Sequence, residues 1–228
     1  MSSKRFNKLI SDKNQNPETF SKLISEIKKN CTAKFDESID LSFQIINKQK
    51  KNEINIRTSV NLPSGTGKDI KIAVVCDEDK QKSASDAGAE IVGGDDLIEK
   101  IKSGELNFEK LICTTSMMSK LSKLGKVLGP KGLMPNPKLG TVSDDVATAV
   151  KNAKSGQAEI RNDKDGNIGV SIGKKSFSDD NLIKNFKAVI DVLEKEKSNT
   201  NIKGNLISSS FATSSMGISY KLKLDKAI

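Results

Sequence analysis

Two hydrophobic periods succeed one another along this chain, and the changes between them divide it into three parts. Ile39, Leu41, Phe43 and Ile45 alternate with polar residues, a Lys/Asn run at 47–53 follows, and Ile54, Ile56, Thr58, Val60 and Leu62 alternate again. A period of two belongs to half-buried strands, so the two runs predict an antiparallel pair with one wet face. Ahead of them Phe20, Leu23, Ile24 and Ile27 recur at helical spacing. Asn16-Pro17 predicts the N-cap and first position of that helix.

The middle of the chain reads differently. The continuous apolar run Ile70–Cys76 precedes a polar helical stretch, then Glu90-Ile91-Val92 and a helix around Leu97, Ile98 and Ile101. Leu111–Thr114, a Lys/Leu helix from Ser116 to Leu124 and a helix from Ser143 to Lys154 complete the series. Alternation of strand and helix predicts a parallel sheet covered on both faces. After Gly156 the period of two returns in Ile168, Val170 and Ile172. An amphipathic helix then carries Leu182, Ile183, Phe186, Val189, Ile190 and Leu193, and Ile218, Tyr220, Leu222 and Leu224 form a last alternation. Neither end has enough strands for a sheet of its own. The prediction is an α+β split domain built from both termini, 1–66 plus 158–228, with an inserted α/β Rossmann-like three-layer domain at 67–157. Linkers near Pro63–Gly67 and Ser155–Gly156 would act as hinges.

Composition narrows the chemistry. The 228 residues contain no histidine, which removes the usual proton shuttle near neutral pH, Ser-His and Cys-His nucleophile pairs, and imidazole zinc sites. Cys31, Cys76 and Cys113 are far apart and show no CxxC spacing, so reduced, inert thiols in the cytoplasm are expected and no metal site is. No apolar run approaches the roughly 20 residues of a membrane span, and no apolar leader follows the N-terminus. A soluble, unexported protein without a membrane partner is expected. The net charge is +9, which points to a polyanionic partner. Its distribution is uneven, with 12 basic and 7 acidic residues in 1–66, 14 and 13 in 67–157, and 12 and 9 in 158–228. Within the near-neutral middle, Lys120, Lys123, Lys126, Lys131 and Lys138 occur with no acid between the first and the last.

Two glycine-rich segments call for a physical test. Ser64-Gly65-Thr66-Gly67-Lys68 resembles the end of a phosphate-binding loop, but Leu62 stands where the first glycine is needed and Asp69 where magnesium would need a hydroxyl. It reads as a linker. The second segment, Leu124–Val142, holds three of the five prolines interleaved with glycines, so it predicts a loop of fixed shape. By themselves its lysines fit either an anion-facing surface or a solvated structural loop.

The stretch LGKVLGPKGLMPNPKLGTV resembles the signature of the large-subunit ribosomal protein L-one (uL-one) family. Lys34-Phe35-Asp36-Glu37-Ser38, Leu62–Lys68, Ala89–Gly94, Ile172-Gly173-Lys174 and Ser214-Ser215-Met216-Gly217 follow in the family's order. The likeness covers nearly the whole chain, and its length and tight loops resemble bacterial members. It implies no enzyme, no catalytic residue and no cofactor. It implies a structural protein, monomeric within the cytoplasmic ribosome, that binds large-subunit rRNA at the mobile stalk near the tRNA exit site. Release of exit-site tRNA and repression of translation through the protein's own operon mRNA also follow from the resemblance.

Carried over by position, the rRNA- and mRNA-binding set is Lys34, Phe35 and Ser38; Glu159, Arg161, Asp163 and Lys164; and Ser215, Met216 and Gly217. The lysines at 120, 123, 126, 131 and 138 become a possible tRNA-facing or second RNA surface. Lys and Arg neutralise phosphates, short hydroxyls reach the 2′-OH, and a glycine admits close approach. Each residue also has an ordinary alternative: Phe35 as core, Met216-Gly217 as turn chemistry, Glu159 with Arg161 as an ion pair. The family pattern has Thr where Ser215 stands and often Pro where Ile218 stands, and many members have a histidine near Gly169. Two other functions compete with this one: an enzyme using the Rossmann-like unit for a nucleotide or phosphorylated substrate, and a nonspecific basic scaffold for duplex RNA.

Overall fold

In the computed structural model, which describes residues 4–11, 16–46, 48, 49, 52, 53, 55–104, 106–199 and 204–224, the Ser38–Ile45 strand buries Ile39, Leu41, Phe43 and Ile45. It lies inside a four-stranded antiparallel sheet, between Asn167–Lys174 on one side and Ile207–Ser214 on the other, with Tyr220–Lys221 at the far edge. Both of its edges are therefore taken. For that reason the expected pairing with the 54–62 run does not occur: Arg57–Asn61 pairs instead with Gln157–Arg161. Val60 and Leu62 still reach the core. The intervening polar run makes a short hairpin, Lys48–Gln49 against Asn52–Glu53, and Ile54 lies outside the described residues.

One face of the four-stranded sheet is covered by the helices Phe20–Asn30 and Asp179–Asn199. Phe20, Leu23, Ile24 and Ile27 from the first and Leu182, Val189 and Leu193 from the second join the strand side chains in one core. Phe20 stacks on Phe186 with ring centroids 4.5 Å apart. The first of these helices starts at Phe20, with Thr19 as its N-cap, and not at Pro17. Residue 18 is otherwise engaged, because Glu18 bridges to Leu222 and accepts the Lys223 N–H at 2.9 Å. A further helix, Lys4–Ser11, buries Leu9.

The chain divides into two compact units, Met1–Gly67 with Ala158–Ile228, and Lys68–Gln157. In the second, three parallel strands run in the order Ile91–Gly93, Ile72–Val75, Lys110–Cys113. All four residues of the central strand are buried, as a strand covered on both faces requires. Ala73, Val75, Leu111 and Cys113 pack against Leu97, Ile101, Met117 and Leu121. Ile72, Val74 and Ile112, on the other face, meet Ala84, Val146, Ala149 and Val150. Those partners belong to the helices Glu78–Asp86, Asp95–Ser103, Thr115–Ser122 and Val146–Lys154.

The segment that resembled a phosphate loop has a structural partner instead. Buried Asn185 accepts the Ser64 N–H at 3.0 Å and donates to the carbonyls of Gly65 and Ile172 at 3.0 and 2.7 Å. Gly67 has φ 72°, and a Cβ there would stand 2.9 Å from the Phe177 ring. The N–H groups of Ser64 and Gly65 and the Gly65 carbonyl are thus spent within the protein.

Candidate nucleic-acid interface

The site forms where the loop before Ser38 meets the turn after Ser214. The Ser215 N–H donates to the Ser38 carbonyl and the Ser38 N–H to the Ser215 hydroxyl, each at 3.0 Å. Glu37 lies beneath them, fully buried. One carboxylate oxygen accepts the Ala33 N–H at 2.9 Å and the other the Met216 N–H at 3.2 Å. Burial alone would raise the Glu37 pKa. The N–H groups of Ala33 and Met216, the Ser214 hydroxyl and the Arg5 charge outweigh it and hold the carboxyl below its usual range. A Cβ at Gly217 would stand 2.2 Å from the Ser214 hydroxyl oxygen, so a larger residue there would force that hydroxyl to move.

Two apolar side chains of this region face solvent. Phe35 is 54% exposed and Met216 51%. Neither is core, so the ordinary alternative for Phe35 fails. Lys34 beside it is exposed as well. Sequence positions 34, 35 and 38 and positions 215, 216 and 217 thus converge, as one fixed patch.

From this patch the uncovered face of the four-stranded sheet extends in rungs. Asp40 lies between Ser171 and Thr213, Ser42 between Gly169 and Phe211, and Gln44 between Asn167 and Ser209. Apart from Phe211 and Asp40, the face offers short hydroxyls, amides and a bare glycine. A Cβ on Gly169 would meet nothing within 4 Å, so a ligand backbone can approach closely there. The alternation marks this face as wet but not as a site, because apart from Asp40 and Phe211 its positions carry short hydroxyls, amides and a glycine.

Glu159, Arg161, Asp163 and Lys164 are not brought against the loop patch. The turn holding Asp163 sits at the opposite end of the Ser38–Ile45 strand, where the Ile45 N–H donates to Gly166 at 2.8 Å. Seven residue steps of strand separate the two ends, roughly 23 Å. Glu159 pairs with Arg57 at 2.8 Å, and not with Arg161, which is exposed. Asp163 accepts the N–H groups of Asp165 and Asn167 and the Asn167 side-chain amide at 2.7–3.0 Å. The Asn167 hydrogen bonds hold its carboxyl below the usual range. Both acids are thus engaged within the protein. Lys164 is exposed.

In the second unit the Leu124–Val142 loop is fixed as its prolines and glycines require. Gly132 and Gly140 have φ 70° and 68°, and a Cβ on Gly129 would stand 2.6 Å from the Gly125 carbonyl oxygen. Leu128 and Leu139 face inward. Lys123, Lys126, Lys131 and Lys138 are exposed, and among the described residues no ion pair engages them. Lys120 differs, because it pairs with both carboxylate oxygens of Asp95 at 2.7 and 2.9 Å.

Residues 27–218 match the model of the Ribosomal protein L1p/L10e family. The chain is 69% identical to the large ribosomal subunit protein uL1 of Pelagibacter ubique (strain HTCC1062), over the whole of both chains. The chain belongs to the ribosomal protein L1 family. Proteins of the same name in Janthinobacterium sp. (strain Marseille) and Rickettsia prowazekii (strain Madrid E) are 48% and 43% identical, covering 87% and 88% of this chain and 85% and 84% of theirs. As a bacterial L1-family member it is a structural ribosomal protein and not an enzyme, and the competing reading of a nucleotide-using enzyme is set aside.

Proposed function

We propose that this protein binds large-subunit rRNA directly, through the loop patch and the open sheet face of the unit formed by both chain ends. That unit is read as the split rRNA-binding domain, and the 68–157 unit as the inserted domain. The observation that carries the proposal is the pair of exposed apolar side chains, Phe35 and Met216, the latter on a backbone whose N–H and carbonyl are both engaged within the protein. A surface pre-formed in this way loses little freedom on binding. Beside it, Ser38, Ser42, Ser171 and Thr213 supply hydroxyls suited to 2′-OH groups, and low aromatic content favours a folded RNA shape over stacked single strands. Lys34, Arg161 and Lys164 supply charge for phosphates.

The protein lies in the cytoplasmic ribosome as part of the large subunit. Placement at the mobile stalk near the tRNA exit site, help in releasing exit-site tRNA and repression through the protein's own mRNA are further parts of the proposal. The exposed lysines at 123, 126, 131 and 138 are its candidates for tRNA contact. The test is affinity for large-subunit rRNA across a salt series. Each neutralised phosphate adds about −0.7 to −0.9 to the log–log slope, the range from single strands to B-form duplexes. A flat salt dependence, or full affinity after Phe35→Ala with Met216→Ala, would reject the surface.

A further inference from the structure

Arg5 reaches the loop patch from a helix that lies outside residues 27–218, the span matched by the family model. Its Nη2 donates to the Met216 carbonyl at 2.7 Å and its Nη1 to the Thr32 hydroxyl at 2.6 Å. The Met216 N–H, on the other side of the same residue, donates to Glu37 at 3.2 Å. Both backbone polar groups of the exposed Met216 are thus held by ions, a guanidinium and a buried carboxylate. Hydrogen bonds to charged groups are stronger than neutral ones, and a guanidinium can hold two acceptors in a fixed fork. Thr32 and Ala33, tied to the same two ions, carry the chain into Lys34 and Phe35.

We propose that Arg5 and Glu37 are positioning residues: together they lock the Met216 backbone so that Met216 and Phe35 meet RNA pre-ordered. The proposal rests on the RNA-binding reading above. Arg5 spends its guanidinium on Thr32 and Met216 and neutralises no phosphate. Without the lock, ordering of the 215–217 turn would be subtracted from the binding free energy. A positioning role and a phosphate contact differ in one measurable respect, since only the latter enters the salt slope.

The experiment compares the full chain with Arg5→Ala, Arg5→Lys, Glu37→Gln, Met216→Ala and the Arg5/Met216 double variant. Affinity for a large-subunit rRNA transcript is measured across salt, and amide hydrogen exchange at Met216 is measured in the free protein. Arg5→Ala is expected to weaken binding by about tenfold at every salt concentration, with the slope unchanged. Arg5→Lys should behave alike, because one ammonium cannot reproduce the fork. In the Met216→Ala background Arg5→Ala should cost only a small further factor. Met216 exchange should be faster in both Arg5→Ala and Glu37→Gln. If Glu37→Gln does not fold, Arg5→Ala alone decides.

A slope shallower by about 0.7–0.9 in Arg5→Ala would make Arg5 a phosphate ligand and overturn the proposal. Unchanged affinity together with unchanged exchange would overturn it as well. Should the parent chain lack affinity for rRNA, the binding reading fails, and the exchange rates still report whether the lock exists.

Discussion

The four-stranded antiparallel sheet is covered on one face, whereas the three-stranded parallel sheet is covered on both. In the first, buried and exposed positions alternate, and Phe43 lies at 0% exposure beside an exposed Ser42. In the second, Val74 and Val75 are neighbours in sequence, point to opposite faces and are both buried. A sheet open on one side can offer its strands to a ligand. A sheet closed on both sides can offer only its loops, and there the lysines of 123–138 stand. On the proposed reading, the first unit meets RNA by shape and hydroxyl as well as charge, and the second by charge alone.

The largest expected effect tests this difference in stability. Phe43→Ala should cost about 3–5 kcal/mol by denaturant unfolding, and Ser42→Ala less than about 0.5 kcal/mol. In the parallel sheet no such alternation should appear: Val74→Ala and Val75→Ala should each cost about 1.5–3 kcal/mol. The comparison breaks if Ser42→Ala is as damaging as Phe43→Ala, or if one of the two valines is silent.

Next in size is a separation of binding from folding. Phe35→Ala and Met216→Ala should each weaken rRNA binding by about 10- to 100-fold, as truncation of a central contact does, with the unfolding midpoint unchanged. Alanine at Lys123, Lys126, Lys131 and Lys138 together should leave the rRNA salt slope of the first unit intact. A slope that fell with those four lysines would merge the two surfaces into one.

A pH effect follows from Glu37. Its carboxyl is held below the ordinary 4.5, so its contribution to stability is complete above that value and is lost as pH falls through the lower native value. The parent chain should lose stability on the acid side of this window more steeply than Glu37→Gln. Equal slopes would show that the buried carboxylate adds nothing. Between about pH 6 and 8 rRNA affinity should scarcely change, because no imidazole titrates. The smallest effect concerns the thiols: burial pushes Cys113 up to about 11 and raises Cys31 and Cys76. Native protein should therefore resist thiol reagents at neutral pH, and all three should react after unfolding.

Hydrophobic period made some elements legible and hid others for physical reasons. The long helix through Leu182, Val189 and Leu193 and the strand of Ile39–Ile45 are found where their spacing puts them. Ile207–Ser214, an internal strand of the open sheet, gave no such signal. Its inward positions include Ser210, Ala212 and Ser214, small or hydroxyl-bearing residues that alternate in burial without alternating in hydropathy. Without a signal from that strand the 54–62 run is the nearest apparent partner for Ser38–Ile45, and the structure pairs it with Gln157–Arg161 instead. The helix start at Asn16-Pro17 failed because tertiary pairing of Glu18 overrode a local cap signal.

At the site, the motif positions 34–38 and 215–217 were legible through their resemblance to a family pattern. Glu37 gives no separate signal within that motif, since an acid beside Asp36 and near Lys34 reads as surface charge until the fold buries it. Arg5 was equally unmarked, because nothing in its neighbourhood shows what lies 211 residues further along the chain.

The most direct test of RNA recognition by the open sheet and its loop patch is amide hydrogen exchange of the full chain with and without large-subunit rRNA. Protection is predicted over 33–45, 167–174 and 207–217, the loop patch and the three strands of the open sheet face. Protection confined to the 68–157 unit, with those segments unchanged, would contradict it.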